Sequence, residues 1–332
     1  YSQEDLKMVG NSNVLKVLQA VDPSFIVDMN SINGSNPNYM NDITIRGKAS
    51  FSGLQGEYSG NPNAPLFIVD GFESSQQQVF DLDINRIVYV TILKDGAAKA
   101  IYGSKASNGV IVIETKQPEP GRLRITYTGD LILEVPDLTS YDLCNAPEKL
   151  KVEYNAGRYT SSAPYYQALL DEQYNSIAAN IARGVNTYWL SQPLHSGVGQ
   201  KHTAYMEGGT QELRYSASLM FNDIKGVMKE SDRKTLSGNI NLSYRYKQWL
   251  FRNSLTVTGN TADDSPYGTF SDYVGVNPYF APRDANGNIS KVLGYYTSPG
   301  ANGSTTTYYN PLYNAHIGTK NFSKYTEVVE NF

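Results

Sequence analysis

Three carboxylate and amide side chains have the spacing of a cation site. Asp81, Asp83 and Asn85 alternate as the ligands do in the first half of an EF-hand calcium loop. Arg86 stands where that loop requires the glycine of its sharp turn. The spacing therefore predicts a polar turn that leads into the following strand, and no calcium site.

The other catalytic signatures do not favour an enzyme. Asp263 and Asp264 are adjacent carboxylates, and neighbouring side chains in a loop give no defined acid–base geometry. The chain has three histidines, but it lacks the HExxH and HxxxH spacings of zinc sites. Residues 103–109 lack the Lys-Ser/Thr ending of a phosphate-binding loop, and no GxSxG segment presents a nucleophile. We therefore expect neither catalysis nor a bound cofactor or metal.

Composition narrows the class of protein. The formal net charge is −4, which provides no basic surface for nucleic acid. The single cysteine, Cys144, excludes an internal disulfide framework and a Cys-rich metal site. No apolar run reaches about 18 residues, so the sequence does not predict a spanning helix. A mean hydropathy of −0.42 is nevertheless compatible with the alternating strands of a membrane barrel.

The length of the chain, 332 residues, predicts two domains. The sequence begins at Tyr1 with neither an initiator methionine nor a signal peptide. We therefore expect a processed or truncated product.

The elements that must position these side chains are organised around residues 64–115. Three apolar runs predict strands, at residues 66–69, 87–93 and 110–113. The third reads VIVI without polar alternation, which predicts a strand covered on both faces. Before it, Asp95 as N-cap and Gly103 as a left-handed C′ residue predict a helix of about two turns. The stretch thus predicts a small α+β core.

Four segments of this part of the chain carry a family resemblance. They are NVLKVLQ at residues 13–19, ITIRG at 43–47, PLFIVDG at 65–71 and ILKDGAAKAIYGSKASNGVIVIETK at 92–116. In this order they resemble the plug domain of TonB-dependent outer-membrane transporters of the SusC/RagA family. Residues 202–244 are similar to the first barrel hairpins of the same family. A generic α+β domain without a transport function is the alternative interpretation of residues 64–115.

The resemblance implies an architecture of two parts. We expect an α+β plug domain at residues 1–120, followed at 121–332 by antiparallel strands of a transmembrane β-barrel with long loops. The segment QPEPG at residues 117–121 marks the boundary, because two prolines and a glycine break any strand. The barrel is incomplete, since a plugged transporter of this type has about 22 strands.

The resemblance also implies a function and its partners. The whole protein would import oligosaccharides or peptides across the outer membrane of a Gram-negative bacterium, with the plug gating the barrel lumen. The implied partners are TonB energised by ExbB and ExbD, a SusD-like surface lipoprotein, the solute and outer-membrane lipid. Two alternatives stay open. One is a barrel-less surface or periplasmic module that binds glycans or peptides, and the other is a β-rich glycan hydrolase.

Beyond residue 121 the sequence alternates with the period of strands. Four alternating runs predict strands, at residues 122–134, 213–221, 235–246 and 249–259. The last two are joined by a two-residue turn, Lys247-Gln248. Residues 142–155 and 165–183 have helical spacing, and residues 260–332 are expected to be loop-like. A soluble sandwich would give the same alternation, so periodicity alone leaves both architectures open.

The alternation also predicts which side chains face which side of the wall. In the clearest run, Leu242 is predicted to face lipid and Asn241 the lumen. Arg214 and Arg252 fall on the polar faces of their strands and are predicted to point inward. Basic residues of the wall that hold the plug would be paired with carboxylates on the plug surface.

Polar loops and exposed aromatic residues supply the candidates for contact with solute. Residues 30–41 and 51–63 are loops rich in Asn, Ser, Gly or Pro. Aromatic faces stack on sugar rings, but aromatic residues also fill loop packing. Six residues are candidate substrate-binding positions: Tyr58, Asn61, Phe72, Glu73, Tyr165 and Tyr166.

Overall fold

The computed structural model describes residues 1–10, 13–27, 36–40, 42–45, 63–94, 96–298 and 304–332. Three predictions fall on other residues. The N-cap role of Asp95 and the candidate positions Tyr58 and Asn61 lie outside the described residues, as does most of the two polar loops.

The N-terminal part of the chain builds a small α+β unit, the plug. Its elements are α1 (Gln3–Val9), α2 (Val14–Val21), β1 (Phe25–Val27), β2 (Ile43–Ile45), β3 (Leu66–Val69), β4 (Phe72–Ser74), α3 (Gln76–Phe80), β5 (Ile87–Leu93), α4 (Gly96–Tyr102) and β6 (Val110–Thr115). Four of the strands form a sheet in the order β4–β3–β6–β5. In this sheet β3 and β6 are parallel, and the other pairs are antiparallel.

The core of the plug confirms the expectation for the VIVI run. Val110, Ile111 and Ile113 of β6 are fully buried, because helices and strands cover both faces of the sheet. The helix α4 ends as predicted, since Gly103 has a φ of +70°. A 3₁₀ segment, Gly103–Asn108, then leads into β6.

The second part of the chain is a six-stranded antiparallel sheet, the wall. Its strands are β7 (Gly121–Glu134), β8 (Gly197–Gly209), β9 (Leu213–Lys225), β10 (Asp232–Tyr246), β11 (Trp249–Asp264) and β14 (Asn321–Asn331). They follow each other in the order β14–β11–β10–β9–β8–β7. The four strands predicted from alternation are confirmed, and each extends further than predicted, β7 by a single residue. The sheet is not closed within the described residues, where β7 and β14 are its two edges.

The connections of the wall differ at its two ends. At one end, the short-turn edge, Gly209 pairs with Arg214 and Tyr246 pairs with Trp249. In the turn between Tyr246 and Trp249, Lys247 has a φ of +53°, as a tight hairpin requires. At the other end, the long-loop edge, residues 135–196 follow β7 and residues 265–320 follow β11.

The prediction that residues 260–332 are loop-like is wrong for three segments. The strand β11 continues to Asp264, β12 (Val292–Thr297) and β13 (Thr305–Tyr309) form a hairpin, and β14 pairs along β11. The strand β14 escaped prediction because Lys324 and Glu330 lie in the same row as Val328, on the outer face of the wall. These charges interrupt the apolar alternation, and backbone pairing with β11 fixes the strand instead.

The long connections fold together at the long-loop edge into what we call the loop cap. Its helices are α5 (Ala146–Asn155), α6 (Pro164–Ala182), α7 (Phe270–Val274) and α8 (Tyr313–His316), of which α5 and α6 confirm the predicted helices. Trp189, Tyr273 and Tyr279 are buried together in its core. The indole nitrogen of Trp189 donates to the Asn277 carbonyl at 3.0 Å, which ties the two long connections to each other.

The two faces of the wall have opposite character. The inner face carries hydroxyl and amide groups, and Asn241 there donates to the Ser216 hydroxyl at 3.2 Å. On the outer face Leu242 is 45% exposed, and its apolar row neighbours Leu236 and Ile240 are exposed as well. The structure therefore confirms that Leu242 and Asn241 point to opposite faces of the wall, and contact of the outer face with lipid stays a prediction. No helix in the described part of the chain is both long and apolar enough to cross a membrane.

Candidate functional site: the seam between plug and wall

The plug faces the inner side of the wall through one short polar segment, residues 75–86. Ser75 caps α3, and the Gln78 side chain completes a capping box by accepting from the Ser75 backbone N–H. After α3 the chain turns, and Asp83 caps a 3₁₀ turn, Ile84–Arg86. The Asp-x-Asp-x-Asn spacing thus builds the polar turn that the sequence predicts, directly before β5.

The first contact across the seam joins Asp81 to Arg233 of β10. The carboxylate and the guanidinium are 2.7 Å apart, and each side chain is 5% exposed. Arg233 also lies over the Phe80 ring, with its guanidinium carbon 4.9 Å from the ring centroid. The Tyr325 hydroxyl of β14 accepts from Arg233 at 2.8 Å and donates to Asp81, while Gln77 donates to both Tyr325 and Asp81.

The second contact joins Asp83 to Lys201 of β8. Their charged atoms are 2.7 Å apart, and each side chain is 2% exposed. The Thr203 hydroxyl donates to the other oxygen of Asp83 at 2.9 Å, and the Asn85 backbone N–H donates at 3.0 Å. Burial alone would raise the pKa of Asp83, but Lys201 and these donors hold the pKa below its usual range.

Further polar contacts surround the two ion pairs. Gln78 donates to Glu327 of β14 at 3.1 Å, and Asn38 donates to the Asp263 carbonyl at 2.8 Å. The amide oxygen of Asn222, on the inner face of β9, is buried without a hydrogen-bond partner. The plug is therefore joined to the wall by polar groups more than by apolar packing. We call the two pairs, Asp81–Arg233 and Asp83–Lys201, the latch.

The physical chemistry of the latch suits an interface that holds and releases. Removing one partner of a buried ion pair costs about 3–5 kcal/mol, because it leaves an uncompensated charge. When plug and wall separate and water enters, both charges become hydrated again. This hydration offsets most of the lost attraction, so the net contribution of such a pair to stability is small. An apolar interface of the same area would hold the plug more strongly against displacement. The latch thus specifies one position of the plug against the wall, while the free energy needed to release the plug stays small.

The structure distributes the candidate substrate positions over both ends of the wall. Phe72 lines a cavity with Arg252 near the short-turn edge, and Glu73 forms an exposed ion pair with Lys105 at 2.8 Å. Tyr165 and Tyr166 lie in the first turn of α6 in the loop cap, with ring centroids 5.5 Å apart. The two pairs are therefore not brought together.

The sequence predicted that basic residues of the wall pair with carboxylates of the plug, but it did not identify which basic residues do so. Arg214 and Arg252 do belong to the inner row, since each lies opposite Ser243 in the register. The partners of the plug carboxylates are instead Lys201 and Arg233. Extending the predicted alternation of β10 back by two residues would have identified Arg233. Among the described residues, no cluster of His, Cys, Asp or Glu could hold a metal ion.

Comparisons with known proteins agree with this arrangement of plug and wall. Residues 1–110 match the model of the TonB-dependent receptor plug domain. The chain is also 28% identical over 211 residues to the TonB-dependent receptor SusC of Bacteroides thetaiotaomicron. The chain therefore carries the plug domain of a TonB-dependent receptor, followed by wall strands of the SusC/RagA type.

The relatives of this receptor are much longer than the chain. The SusC alignment covers 61% of the chain and 19% of SusC. The TonB-dependent receptor P26 of Formosa agariphila is 31% identical over 269 residues, which cover 72% of the chain and 25% of P26. The fold is that of a structure of the RagAB peptide transporter, with a TM-score of 0.72 at 22% identity, over 99% of the chain and 38% of that structure's chain. The chain thus spans a quarter or less of these curated relatives.

Proposed function

We propose that the chain supplies the plug and the first wall strands of an outer-membrane importer, in which the plug gates the lumen. The observation that carries this proposal is the latch, because two buried ion pairs seat the plug against the inner face of the wall. In this proposal residues 1–120 are the gate, and residues 121–332 are the wall with its loops. The protein moves its solute without chemical change, so it is not an enzyme.

The outer face of the wall supports a membrane location in the outer membrane of a Gram-negative bacterium. Its exposed apolar side chains include Ile125, Leu219, Ile240 and Val257. A barrel-less binding module would have to present this band to water, whereas lipid covers it without cost. This comparison favours the importer over the alternative of a surface or periplasmic module.

The proposed partners act on the two ends of the wall. TonB, energised by ExbB and ExbD, would pull on the plug from the short-turn edge. A SusD-like surface lipoprotein would sit on the loop cap at the other edge. The solute would be an oligosaccharide or a peptide, and the name of the RagAB structure describes a peptide transporter. In this scheme Tyr165 and Tyr166 meet the solute as it arrives, and Phe72 and Glu73 meet it as it leaves. Tyr58 and Asn61 stay candidates from the sequence alone.

Opening requires that Asp81 and Asp83 separate from the wall cations with which they pair. The following experiment tests this step. In the full-length receptor, Asp81→Asn with Asp83→Asn should loosen the gate, since each amide leaves a wall cation without its counter-ion. Cells producing this variant should become more sensitive to vancomycin, a large antibiotic that the outer membrane excludes. The control is Lys105→Gln, which removes an exposed plug charge that pairs with Glu73. Unchanged sensitivity at equal receptor levels would contradict a gating role for the latch.

A further inference from the structure

The first two helices of the plug hold the latch segment from the side opposite the wall. Gln3 of α1 donates through its amide nitrogen to two backbone carbonyls, those of Ile84 at 3.2 Å and Asn85 at 2.8 Å. Asn13, which caps α2, donates through its amide nitrogen to the Phe80 carbonyl at 3.3 Å. Each helix therefore bonds to the backbone beside one of the two latch carboxylates.

The turn that α1 holds is the turn that Asp83 caps. Asp83 accepts from the Asn85 backbone N–H at 3.0 Å and from the Asn85 side-chain amide at 3.1 Å. Leu6 of α1 and Ile84 of the turn are fully buried in the same apolar cluster. Withdrawal of α1 would leave two carbonyls without their donor and expose Ile84 to water. The turn then loses the shape that places Asp83 against Lys201.

The helix α2 supports the other carboxylate in the same way. Phe80 is the last residue of α3, and Asp81 follows it directly. The Asn13 side-chain oxygen accepts from the Leu15 backbone N–H at 2.8 Å, so its amide nitrogen is aimed away from α2 and at Phe80. Withdrawal of α2 would therefore uncover the end of α3, where Asp81 pairs with Arg233.

The two helices lie at different distances from the short-turn edge. In α1, Lys7 lines a cavity with Glu119 and Glu207, which lie next to the short-turn ends of β7 and β8. In α2, Lys16 lines a cavity with Glu134, the last residue of β7 at the long-loop edge. A displacement that starts at the short-turn edge therefore reaches α1 before α2.

The two ion pairs follow the same order along the wall. Lys201 lies opposite Asn222, and Asn222 lies opposite Thr235. Arg233 precedes Thr235 by two residues in β10, so it lies one inner row closer to the long-loop edge than Lys201 does. The Asp83–Lys201 pair is thus the one nearer to the short-turn edge.

We propose that α1 and α2 release the latch in two ordered steps when the plug is drawn towards the short-turn edge. Withdrawal of α1 frees Asp83 from Lys201, and withdrawal of α2 then frees Asp81 from Arg233. This inference rests on the proposed function, because it requires the plug to leave the seam. It adds an intermediate in which half of the latch is still closed, and it makes Gln3 and Asn13 positioning residues of the gate.

The test pulls single full-length receptors in lipid bilayers from the short-turn side at constant force. The handle is attached through Tyr1→Cys, with Cys144 replaced by serine, and the plug should extend in two steps. Gln3→Met should shorten the waiting time before the first step about fivefold, because it removes one hydrogen-bond donor, and should leave the second unchanged. Asn13→Ser keeps an oxygen that caps α2 and should shorten only the second waiting time.

Two further variants assign the steps to the latch. Asp83→Asn should shorten the first waiting time, and Asp81→Asn should shorten the second, because each step includes the rupture of one ion pair. Met8→Gln is the matched control, since it makes the reverse exchange in α1 at a side chain that is 81% exposed. It should change neither waiting time.

Three results would overturn the inference. Extension in a single step would show that both pairs open together. Waiting times that ignore Asp83→Asn and Asp81→Asn would show that the helices leave without the latch. Shortening of the same waiting time by Gln3→Met and Asn13→Ser would remove the order. The gating proposal fails on a different observation, which is unchanged vancomycin sensitivity in cells with the variant that carries both Asp→Asn substitutions.

Discussion

At the scale of single residues, acidic side chains of the plug serve two purposes. Asp81 and Asp83 reach across the seam, whereas Asp22 acts within the plug. Asp22 follows α2, is almost fully buried and pairs with Lys94 at 2.9 Å. Burial alone would raise the pKa of Asp22, but hydrogen bonds from Lys94 and Ser24 lower it to about 2. The Asp22–Lys94 pair therefore joins the end of α2 to the end of β5.

The depressed pKa of Asp22 predicts the acid sensitivity of the plug. Because the folded pKa lies below the unfolded value of about 3.9, the Asp22 carboxylate stabilises the plug fully above that value. This stability is lost as the pH falls from about 4 towards 2. Lys94→Met should lower the stability of the plug above pH 4 and reduce the part that is lost between pH 4 and pH 2, since the folded pKa of Asp22 then rises towards its unfolded value. Pepsin cleavage of the variant and of the unsubstituted plug, compared at pH 4 and at pH 2, measures this change.

The control for this experiment is Lys105→Met. Lys105 pairs with Glu73 on the plug surface, and both side chains are more than half exposed. Such an exposed pair contributes little to the free energy of unfolding. Equal changes in pepsin sensitivity in the two variants would show that the burial of Asp22 plays no part.

A second residue-scale prediction concerns Gly109, which precedes β6. Its φ is +94°, and a Cβ there would lie 2.8 Å from the Ile45 Cδ1 atom and 3.1 Å from the Leu93 carbonyl oxygen. Gly109→Ala should therefore destabilise the plug by the backbone strain of about 1–2 kcal/mol plus the clash. Gly103→Ala is the control, because its φ is +70° but a Cβ would meet nothing within 4 Å. Urea midpoints that fall equally in the two variants would contradict a packing role for Gly109.

At the scale of elements, the wall strands are two-faced, and each face is specified differently. The outer rows carry apolar side chains, and the inner rows carry hydroxyl and amide groups that bond across strands, as Asn260 does to Thr235 at 2.8 Å. Because the side-chain period of a strand is two, a slip of one residue would exchange the faces. The registers of β9, β10 and β11 run without interruption, so this exchange does not occur.

The two faces predict opposite outcomes for neighbouring substitutions in β10. Leu242→Arg places a charge towards lipid, which costs roughly 2–4 kcal/mol at the bilayer midplane, and should impair membrane assembly of the full-length receptor. Asn241→Arg places the same charge in the lumen and should assemble normally. The heat-modifiable mobility of the folded receptor in gels measures assembly.

Single-cysteine labelling decides whether the outer face meets lipid. The exposed Cys144 is first replaced by serine. A lipid-phase reagent should then label cysteines at positions 236, 240, 242 and 244, and should spare those at 237, 239, 241 and 243. Labelling of both sets by a water-soluble reagent would refute the membrane wall.

At the scale of the whole molecule, three bodies meet: plug, wall and loop cap. Glu153 of α5 holds the loop cap together. It is buried and accepts hydrogen bonds from the Tyr159 hydroxyl at 2.7 Å and the Tyr279 hydroxyl at 3.1 Å. Burial, together with the Glu153 charge, raises the pKa of both tyrosines, so both stay protonated donors. Arg158 lies 3.6 Å from Glu153 and stacks on Tyr296. One carboxylate thus joins the two long connections.

Removal of this carboxylate should loosen the loop cap alone. Glu153→Ala leaves two buried hydroxyls and a half-buried guanidinium without their shared acceptor, at a cost of about 3 kcal/mol. Limited proteolysis should then cut residues 265–320 faster, while the wall keeps its heat-modifiable mobility. Lys151→Ala, which removes an exposed charge from the same helix, is the control. Faster cutting in both variants would show that α5 itself had unfolded.

The sequence alone determined the parts whose signals are local. The strands of the plug core, the helices α5 and α6 and most wall strands follow from runs and alternations within about 15 residues. The orientation of Leu242 and Asn241 follows from the same alternation, because neighbouring side chains of a strand point to opposite faces. The polar turn at Asp81 and Asp83 was predictable for the same reason.

Only the tertiary structure decided what those polar groups meet. Asp81 and Arg233 are 152 positions apart, and Asp83 and Thr203 are 120 apart, so no spacing rule joins them. The strand β14 likewise becomes a strand through its ladder with β11, since its own alternation is broken by charges. A buried ion pair forms where folding excludes water from two facing charges, and that apposition is a property of the packed plug and wall together.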